Sequence, residues 1–305
     1  MKIKVAAVQM NATENFPENL KAAECYIKEA IEKGARLILL PEFGLMNYGL
    51  TLQIRVKAEP LKGITYQWLK KLCTEYGVYI GTCVLEREED DFYDTFVLVG
   101  PNENELWTHR KIEPAGSESC LFKGAGLKSN PNVFDTPLGK IGIVICFDTA
   151  KSQTAESLET LGAEILLISC AYPELPSMLP GAQKDSWREI FQDAPTSYAR
   201  FLGIPVVLSN KCGRFSSRVE GLPVGVETNF AGSSKIVDAK GNVISALDGK
   251  EGVLIEEIDI EPKVKRTDFN LKNRWFLPYT LFIRFMANAS AKFAKRYYRR
   301  YKNKK

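Results

Sequence analysis

The chain has 305 residues but only one histidine, His109. A metal site built from several histidines is therefore excluded, and a serine–histidine or cysteine–histidine mechanism would have to use this one residue. The sequence also lacks any Cys-X-X-Cys pair of the kind that binds zinc. These absences direct attention to chemistry that needs neither a histidine-rich metal site nor a histidine base.

Long apolar runs are missing as well. Met1 is followed by Lys2-Ile3-Lys4 instead of the apolar core of a signal peptide, and the chain has seven cysteines. We therefore expect a cytoplasmic protein with free thiols. Hydrophobic residues make up 45% and charged residues 26% of the chain, as in an ordinary globular protein. This composition excludes collagenous, disordered and polytopic membrane proteins.

Acidic residues are absent after Asp268. Residues 1–268 contain 30 basic and 37 acidic residues, a net charge of −7, whereas residues 269–305 contain 11 basic residues. The overall charge of +4 is thus the average of an acidic body and a strongly basic tail. Such an asymmetry indicates a polyanionic partner for the tail.

Segments with strand character alternate with segments of helical periodicity along the body. The predicted strands are 3–8, 36–40, 78–85, 92–99, 105–109, 141–146, 165–169, 205–210, 232–238, 242–246 and 253–260, and the predicted helices are 17–33, 64–76, 153–161 and 184–201. This alternation is typical of an α/β fold. Because no repeat or flexible linker interrupts it, we predict one catalytic domain over residues 1–262 and a C-terminal extension over residues 263–305.

Three polar residues lie at or just past the ends of predicted strands. They are Glu42, Lys111 and Cys146, and the ends of sheet strands are where α/β folds place reactive groups. Each has an ordinary interpretation when taken alone: the cysteine as a small core residue and the other two as solvated charges. Their joint appearance, in this order, favours an active site.

Six short segments resemble the signature sequences of the nitrilase, or carbon–nitrogen hydrolase, superfamily. They are Val5–Gln9, Pro41-Glu42-Phe43, His109-Arg110-Lys111, Gly142–Asp148, Ser209–Gly213 and Ala231–Ser234. The resemblance implies a four-layer α-β-β-α sandwich and a Glu-Lys-Cys triad.

The chemistry that this resemblance implies assigns one role to each residue of the triad. Cys146 attacks an amide or nitrile carbon as a thiolate. Glu42 is the general base, first for the thiol and later for the attacking water. The Lys111 ammonium and the backbone N–H of Phe147 stabilise the tetrahedral oxyanion. Neither a metal nor an organic cofactor is required.

Three further residues have a functional and a structural interpretation. Glu118 resembles a second glutamate of the family, which positions the substrate and the lysine; the alternative is a solvated loop charge. His109 occupies a place where the family commonly has an aromatic residue, and we predict a structural role for it. Cys170 follows the predicted strand 165–169, whose end should lie near the site, and we expect it to line the pocket without reacting.

Residues 276–302 have the period of an amphipathic helix. Apolar residues fall on about a third of its circumference, and most basic residues lie opposite them. The residues expected to make contacts are Phe282, Met286, Phe293 and Tyr297 on the apolar face and Arg284, Lys292, Lys295 and Arg299 on the basic face.

Three roles compete for this helix. It docks on the body or on a second subunit, as expected of a family whose members form dimers or larger homo-oligomers. Alternatively, it lies on an anionic membrane surface, at the inner face of the cell membrane, where a basic polar face and a bulky apolar face both fit. Nucleic-acid binding is the least expected, because phosphate contacts do not require an aromatic stripe.

The function that these observations predict is a cysteine-dependent amidase for a small carboxamide, acting through a thioester intermediate. A nitrilase and an N-carbamoyl amidohydrolase would use the same triad. A catalytically silent binding or scaffold protein is the alternative outside the enzymes, and the complete triad argues against it.

Overall fold

The computed structural model describes residues 1–175, 181–221, 225–260 and 275–301. These residues contain fourteen strands, five α-helices and three 3₁₀ turns. The strands are β1 (Lys2–Gln9), β2 (Leu37–Leu39), β3 (Tyr79–Glu88), β4 (Asp91–Val99), β5 (Leu106–Arg110), β6 (Val133–Thr136), β7 (Gly139–Ile145), β8 (Ile165–Cys170), β9 (Val206–Asn210), β10 (Cys212–Arg218), β11 (Gly225–Ala231), β12 (Lys235–Val237), β13 (Val243–Ala246) and β14 (Gly252–Asp259). The helices are α1 (Phe16–Glu32), α2 (Ile64–Tyr76), α3 (Ser152–Leu161), α4 (Gly181–Leu202) and α5 (Leu281–Tyr301), and the 3₁₀ turns are Leu52–Lys57, Gly116–Cys120 and Cys146–Ala150.

Twelve of the described strands form two mixed sheets. The first has the order β14-β1-β2-β3-β4-β5 and the second the order β13-β12-β9-β8-β7-β6, while β10 and β11 make a separate hairpin. Three neighbouring strands run parallel in each sheet, β1-β2-β3 in the first and β7-β8-β9 in the second. Two of the predicted catalytic residues lie at their carboxyl ends, Glu42 after β2 and Cys146 after β7, whereas Lys111 follows the antiparallel strand β5.

The two sheets pack face to face over a shared apolar core. Side chains also join the layers directly: the Ser169 hydroxyl on β8 donates to the Leu40 carbonyl at 3.1 Å, and the Ser209 hydroxyl on β9 donates to the Val8 carbonyl. Helices α1 and α2 pack on the first sheet, and α3 and α4 pack with the second. This arrangement confirms the predicted four-layer α-β-β-α sandwich.

Local sequence explains where α1 begins and where α2 ends. The Asn15 side chain accepts a hydrogen bond from the Glu18 N–H at the start of α1, and Pro17 occupies an early position where no N–H is needed. Gly77 ends α2 in the left-handed conformation, with φ of 69°. Both helices lie close to the predicted ranges 17–33 and 64–76.

The sequence pattern does not predict β6 or the β10–β11 hairpin. The residues of β10 and β11 alternate between buried or half-buried and exposed, so the hairpin lacks the continuous apolar run of a buried strand. The predicted hairpin over 232–238 and 242–246 is shorter in the structure. Gly232 and Ser233 both have φ of 60°, a conformation that cannot continue a strand, and β12 begins only at Lys235.

Residues 275–280 precede α5 and pack on the segment that follows β7. Trp275 pairs with Lys151 in an isolated β-bridge, and the Phe276 N–H donates to the Ala150 carbonyl at 2.8 Å. Most of this segment is buried in the shared core. The C-terminal extension therefore contributes to the body of the protein.

Helix α5 begins at Leu281, later than the predicted residue 276. Pro278 disfavours a helical conformation in the residue before it, and the residues ahead of it are already paired with the body. The predicted last residue, Lys302, and the predicted domain boundary at residue 262 lie outside the described residues.

Helix α5 docks on the body through one side. The Tyr298 hydroxyl donates to Asp91 Oδ1 at 3.0 Å. The helix also packs on the 3₁₀ turn Gly116–Cys120. The approach is close, because a Cβ atom added to Gly116 would lie 2.7 Å from Ser290 Oγ.

Docking brings some of the residues predicted to make contacts against the body and leaves the others exposed. Two of the eight residues expected to make contacts turn towards the body: Tyr297 donates its hydroxyl to Glu220 at 2.7 Å, and the Arg284 guanidinium lies 5.6 Å from the centre of the Trp275 ring. The other six stay exposed, namely Phe282, Met286, Phe293, Lys292, Lys295 and Arg299. In the described ranges, no helix combines the length and the apolar character needed to cross a bilayer.

Candidate active site

Glu42 lies in the loop after β2 and is fully buried. Its Oε1 accepts a hydrogen bond from Lys111 Nζ at 2.7 Å, and its Oε2 accepts one from the Ala171 N–H, just past β8, at 2.6 Å. The loop itself is held by the buried Lys211 side chain, whose Nζ donates to the Phe43 and Met46 carbonyl groups at 2.9 and 3.0 Å. Both oxygens of the carboxylate are thus fixed by donors from other segments.

Lys111 follows β5, and the sheet ladder sets its position. Its backbone N–H donates to the Asp94 carbonyl on β4 at 2.8 Å. Its fully buried Nζ contacts three carboxyl groups, with distances of 2.7 Å to Glu42, 2.8 Å to Glu118 and 3.2 Å to Asp94. A single ammonium group therefore joins four segments of the chain.

Glu118 lies in the 3₁₀ turn Gly116–Cys120 and is buried, not solvated. Its Oε2 accepts hydrogen bonds from Lys111 Nζ and from the Ala115 N–H at 2.7 Å, and its Oε1 accepts one from the Tyr48 hydroxyl at 2.5 Å. These donors leave the carboxylate a single orientation, with one oxygen towards the lysine.

Cys146 comes directly after β7 and begins the 3₁₀ turn Cys146–Ala150 with φ of 44°. A non-glycine residue in this conformation is strained, and such strain is concentrated at functional sites. The thiol lies within hydrogen-bonding reach of the Glu42 carboxylate and of the Cys170 thiol at the end of β8. The structure thus brings Glu42, Lys111, Glu118, Cys146 and Cys170 together.

The turn after the cysteine is tied to the segment after the lysine. The Asp148 carboxyl accepts hydrogen bonds from the N–H groups of Ile112 and Glu113 at 2.8 and 3.0 Å. Burial raises the pKa of Asp148 to about 7. Phe147 lies between Cys146 and Asp148 in the sequence. The centre of its ring is 5.9 Å from the centre of the Trp275 ring, and the two rings pack edge to face.

Burial and neighbouring charges act in opposite directions on the ion pair. Burial alone would raise the pKa of Glu42. The Lys111 ammonium and the hydrogen bonds to the carboxylate lower it by more, so the pKa lies below its usual value. Burial lowers the pKa of Lys111, but Glu118 and the other carboxyl groups raise it well above its usual value. The resting site therefore contains a carboxylate base and a fixed cation.

Cys146 differs from this pair, because its resting form is the neutral thiol. The hydrogen bond with Cys170, followed by burial, raises the pKa of Cys146 well above its usual value. A neutral thiol beside an ionised carboxylate is an arrangement in which the proton passes to the carboxylate as the sulfur attacks.

Access to the thiol is narrow. Cys146 is only 5% exposed, and Glu42 and Lys111 are fully buried. Tyr172 and Tyr279 stand close to the cysteine, with their hydroxyl oxygens 3.1 Å apart. The described residues contain no group of three histidine, cysteine, aspartate or glutamate side chains suited to hold a metal ion.

His109 is buried on β5 and lies away from these contacts. Its Nδ1 is 3.1 Å from the Pro131 carbonyl oxygen, and burial lowers its pKa to about 4. The ring is therefore neutral at neutral pH and joins two segments of the chain.

Sequence reasoning missed three side chains of the site. Asp94 carries a visible signal, a charged residue within an otherwise apolar strand. Asp148 belongs to the segment Gly142–Asp148 that resembles a family signature, but its position in the sequence does not indicate which N–H groups its carboxyl group binds. Tyr48 has no sequence signal, because its loop has no regular period.

Comparisons with known proteins give the family and agree with the fold. A family model described as carbon-nitrogen hydrolase matches residues 4–262. The chain is 30% identical over 278 residues to an N-carbamoylputrescine amidase of Oryza sativa subsp. japonica, covering 87% of this chain and 88% of that protein. It is 30% identical over 266 residues to a nitrilase of Pyrococcus abyssi, covering 85% and 90%. The crystal structure of a carbon-nitrogen hydrolase from Helicobacter pylori G27 has the same fold, with a TM-score of 0.76, 20% identity, and coverage of 85% of this chain and 90% of that one.

Replacing His109 with asparagine tests its structural role. Because the pKa of the buried ring, about 4, lies below its usual 6.5, folding disfavours the protonated form. Its contribution to the free energy of unfolding is complete above about pH 6.5 and falls by roughly 3 kcal/mol as the pH drops to about 4. Urea unfolding across this range should therefore show the wild type losing that much more stability than the variant.

At neutral pH, the His109→Asn variant should retain its catalytic activity once it is folded. A stability difference between the two proteins that does not change with pH would contradict the neutral buried ring, and inactivity of the folded variant would contradict the structural role.

Proposed function

Since the chain belongs to the carbon–nitrogen hydrolase family, whose named relatives act on C–N bonds other than peptide bonds, we propose that it is a cysteine-dependent amidase with Glu42, Lys111 and Cys146 as its triad. The observation that carries the proposal is the buried Lys111 ammonium, which bridges Glu42 and Glu118 at 2.7 and 2.8 Å beside the strained cysteine. The catalytic domain in this proposal spans residues 1–262.

The reaction follows from the positions of these groups. Glu42 takes the proton of the Cys146 thiol while the sulfur attacks the carbonyl carbon. The Lys111 ammonium and the backbone N–H of Phe147 stabilise the oxyanion, and collapse of the tetrahedral intermediate expels ammonia or an amine, which receives the proton from Glu42. Glu42 then activates a water molecule that hydrolyses the thioester and regenerates the thiol.

Glu118 has a positioning role in this mechanism. It holds Lys111 from the side opposite Glu42 and is itself fixed by the Tyr48 hydroxyl and the Ala115 N–H. The ammonium therefore needs no rearrangement when negative charge develops on the substrate oxygen, which is the condition for effective electrostatic stabilisation. Cys170, which reaches the nucleophile without a base of its own, lines the site.

The narrow access to Cys146 favours a small substrate, and a small carboxamide fits this restriction. An N-carbamoyl compound is the second candidate, favoured by the similarity to the N-carbamoylputrescine amidase of Oryza sativa subsp. japonica. Product analysis separates the two, because a carboxamide yields ammonia and a carboxylic acid, whereas an N-carbamoyl amine yields ammonia, carbon dioxide and the free amine. A nitrilase would consume a nitrile and yield the acid.

Cys146→Ala should abolish turnover without unfolding the protein, because it removes the nucleophile and little volume. Cys170→Ala is the matched control: it removes the neighbouring thiol and should retain most of the activity. Alkylation with iodoacetamide, followed by mass spectrometry, should place the label that tracks inactivation on Cys146. Labelling of another cysteine in step with inactivation would refute the assignment.

Glu42→Gln and Lys111→Ala separate the base from the cation. The glutamine keeps the size of the side chain but cannot accept the proton, so kcat should fall by roughly 10²-fold or more. The alanine removes an oxyanion stabiliser worth about 3 kcal/mol, and it too should inactivate the enzyme. Both measurements need folded protein, checked by circular dichroism; near-normal turnover in either variant would refute its assigned role.

We further propose that α5 attaches the enzyme to an anionic membrane surface. Its undocked side presents Phe282, Phe285, Met286 and Phe293, which are 44%, 67%, 49% and 47% exposed. Basic residues occupy the rest of this side in the second half of the helix, and the helix contains no acidic residue. Aromatic insertion together with basic contacts to headgroups supports attachment to the inner face of the cell membrane. The rival role for the same side is an interface in a homo-oligomer.

Vesicle sedimentation tests the membrane proposal. The triple variant Phe282→Ser/Met286→Ser/Phe293→Ser should lose most of its pelleting with anionic vesicles, whereas the wild type should pellet with these and much less with neutral vesicles. Higher salt should weaken the binding of the wild type, because it screens the basic contacts. The control Val56→Ser/Ile64→Ser changes exposed apolar residues elsewhere, 84% and 68% exposed, and should bind normally.

Gel filtration of the same triple variant decides between the two roles of α5. If the wild type ignores anionic vesicles and the variant dissociates into smaller particles, the exposed side is a subunit interface. Point substitutions are preferable to truncation at residue 270, since Trp275 and Tyr279 are buried in the core and their removal would destabilise the body.

A further inference from the structure

The carboxyl group of Asp94 touches the proposed triad but has no part in its mechanism. It lies on β4, is fully buried, and places Oδ2 3.2 Å from Lys111 Nζ. Glu42 Oε1 contacts the same Nζ at 2.7 Å, so the two carboxyl groups are neighbours around one ammonium group. In the described part of the chain, neither of its oxygens accepts a well-aligned hydrogen bond. An ionised carboxylate is unfavourable in such a place, because only the contact with Lys111 at 3.2 Å replaces the water that it has lost.

The donors are distributed unequally among the three carboxyl groups around the ammonium. Glu42 accepts from Lys111 and from the Ala171 N–H, and Glu118 accepts from Lys111, the Ala115 N–H and the Tyr48 hydroxyl. Asp94 has only the longer contact with Lys111. If one of the three carries a proton, it is the one with the fewest donors.

We propose that Asp94 is protonated in the resting site and donates its O–H to the Glu42 carboxylate, which makes it a positioning residue for the catalytic base. The inference rests on the proposed function, since it assigns a partner to Glu42 as the base. It gives Glu42 a further donor, in addition to Lys111, the Ala171 N–H and the neighbouring Cys146 thiol, and it gives the Asp94 carboxyl group a hydrogen-bond partner.

The groups that face Asp94 agree with a neutral form. Glu42 and Glu118 are both negative and Lys111 is the only cation among the charged groups described around it, while the Cys83 thiol on β3 is neutral, its pKa raised by burial. Burial, followed by the charge of Glu42, raises the pKa of Asp94 well above its usual value. With Asp94 neutral, the cluster of Asp94, Glu42, Glu118 and Lys111 carries one net negative charge instead of two.

The variant Asp94→Asn mimics the protonated form, because asparagine is neutral, has the same shape and donates N–H. Its kcat/KM should stay within about threefold of the wild type, and the acid limb of its pH profile should not move. If Asp94 were ionised, asparagine would remove a negative charge beside Glu42 and lower the pKa of the base. The acid limb would then shift to lower pH by more than about one unit, and this result would overturn the proposal.

Asp94→Ala removes the donor and should lower kcat by roughly 10- to 100-fold with little change in KM. Recovery of the rate by asparagine, but not by the apolar and similarly sized leucine in Asp94→Leu, distinguishes a hydrogen-bonding role from simple filling of space. Asp135→Asn is the matched control, because it makes the same change at an exposed side chain on β6 and should leave the profile unaltered. Equal loss of rate in the folded asparagine and alanine variants would contradict the proposal.

A measurement on the wild type covers the case in which the variants fail to fold. Infrared spectra of protein with ¹³C-labelled aspartate carboxyl groups should show a protonated carboxyl band well above pH 7, where Asp148, with its pKa of about 7, is ionised. Absence of the band would overturn the inference. Alkylation of Cys146 keeps the two proposals separate: an unreactive Cys146 in the wild type refutes the proposed triad, whereas a reactive Cys146 without the band refutes only the role of Asp94.

Discussion

The buried ammonium of Lys111 is the interaction on which the site depends. Moving a single charge into the protein interior is unfavourable unless partners of opposite charge and good hydrogen-bonding geometry replace the lost water. Lys111 finds them in Glu42, in the loop after β2, and in Glu118, and its Nζ also lies 3.2 Å from the Asp94 carboxyl group on β4. The contacts that compensate the burial of Lys111 also fix Glu42 and Glu118. Assembly of the site and stability of this edge of the sandwich therefore depend on the same interactions.

The sequence predicts the proposed triad because each of its members comes at or just past the end of a predicted strand and within a segment that resembles a family signature. Parallel strands bring their carboxyl ends to a common edge, so Glu42 and Cys146 converge once the strand pattern is recognised. Asp94 could not be placed in the same way. The pattern shows only that a charged residue lies in a strand. Its burial beside Lys111 results from the pairing of β4 with β5 and from the sheet that packs on them. Neither of these long-range contacts can be read from the pattern of residues along the chain.

The C-terminal helix shows a second limit of sequence patterns. Its periodicity predicts an apolar side correctly, but a single stripe does not say that Ile283 and Ala294 face the body while Phe282 and Phe293 face outward. That division depends on the docking angle, which is set by contacts such as Tyr298 with Asp91. The polar β10–β11 hairpin was missed for a related reason, because strands that alternate around a partly exposed surface carry no continuous apolar run.

The position of α5 links the two proposals for this protein without merging them. One side of the helix rests on the 3₁₀ turn Gly116–Cys120, which holds Glu118 against Lys111, and the opposite side carries the exposed aromatic and basic residues. Substitutions on the exposed side leave the contact with the turn intact, so they change attachment alone. Substitutions at the docked side act on the support of Glu118, and through it on the cation that the proposed chemistry requires. The helix is therefore part of the structure that holds Lys111 in place, whatever surface its other side contacts.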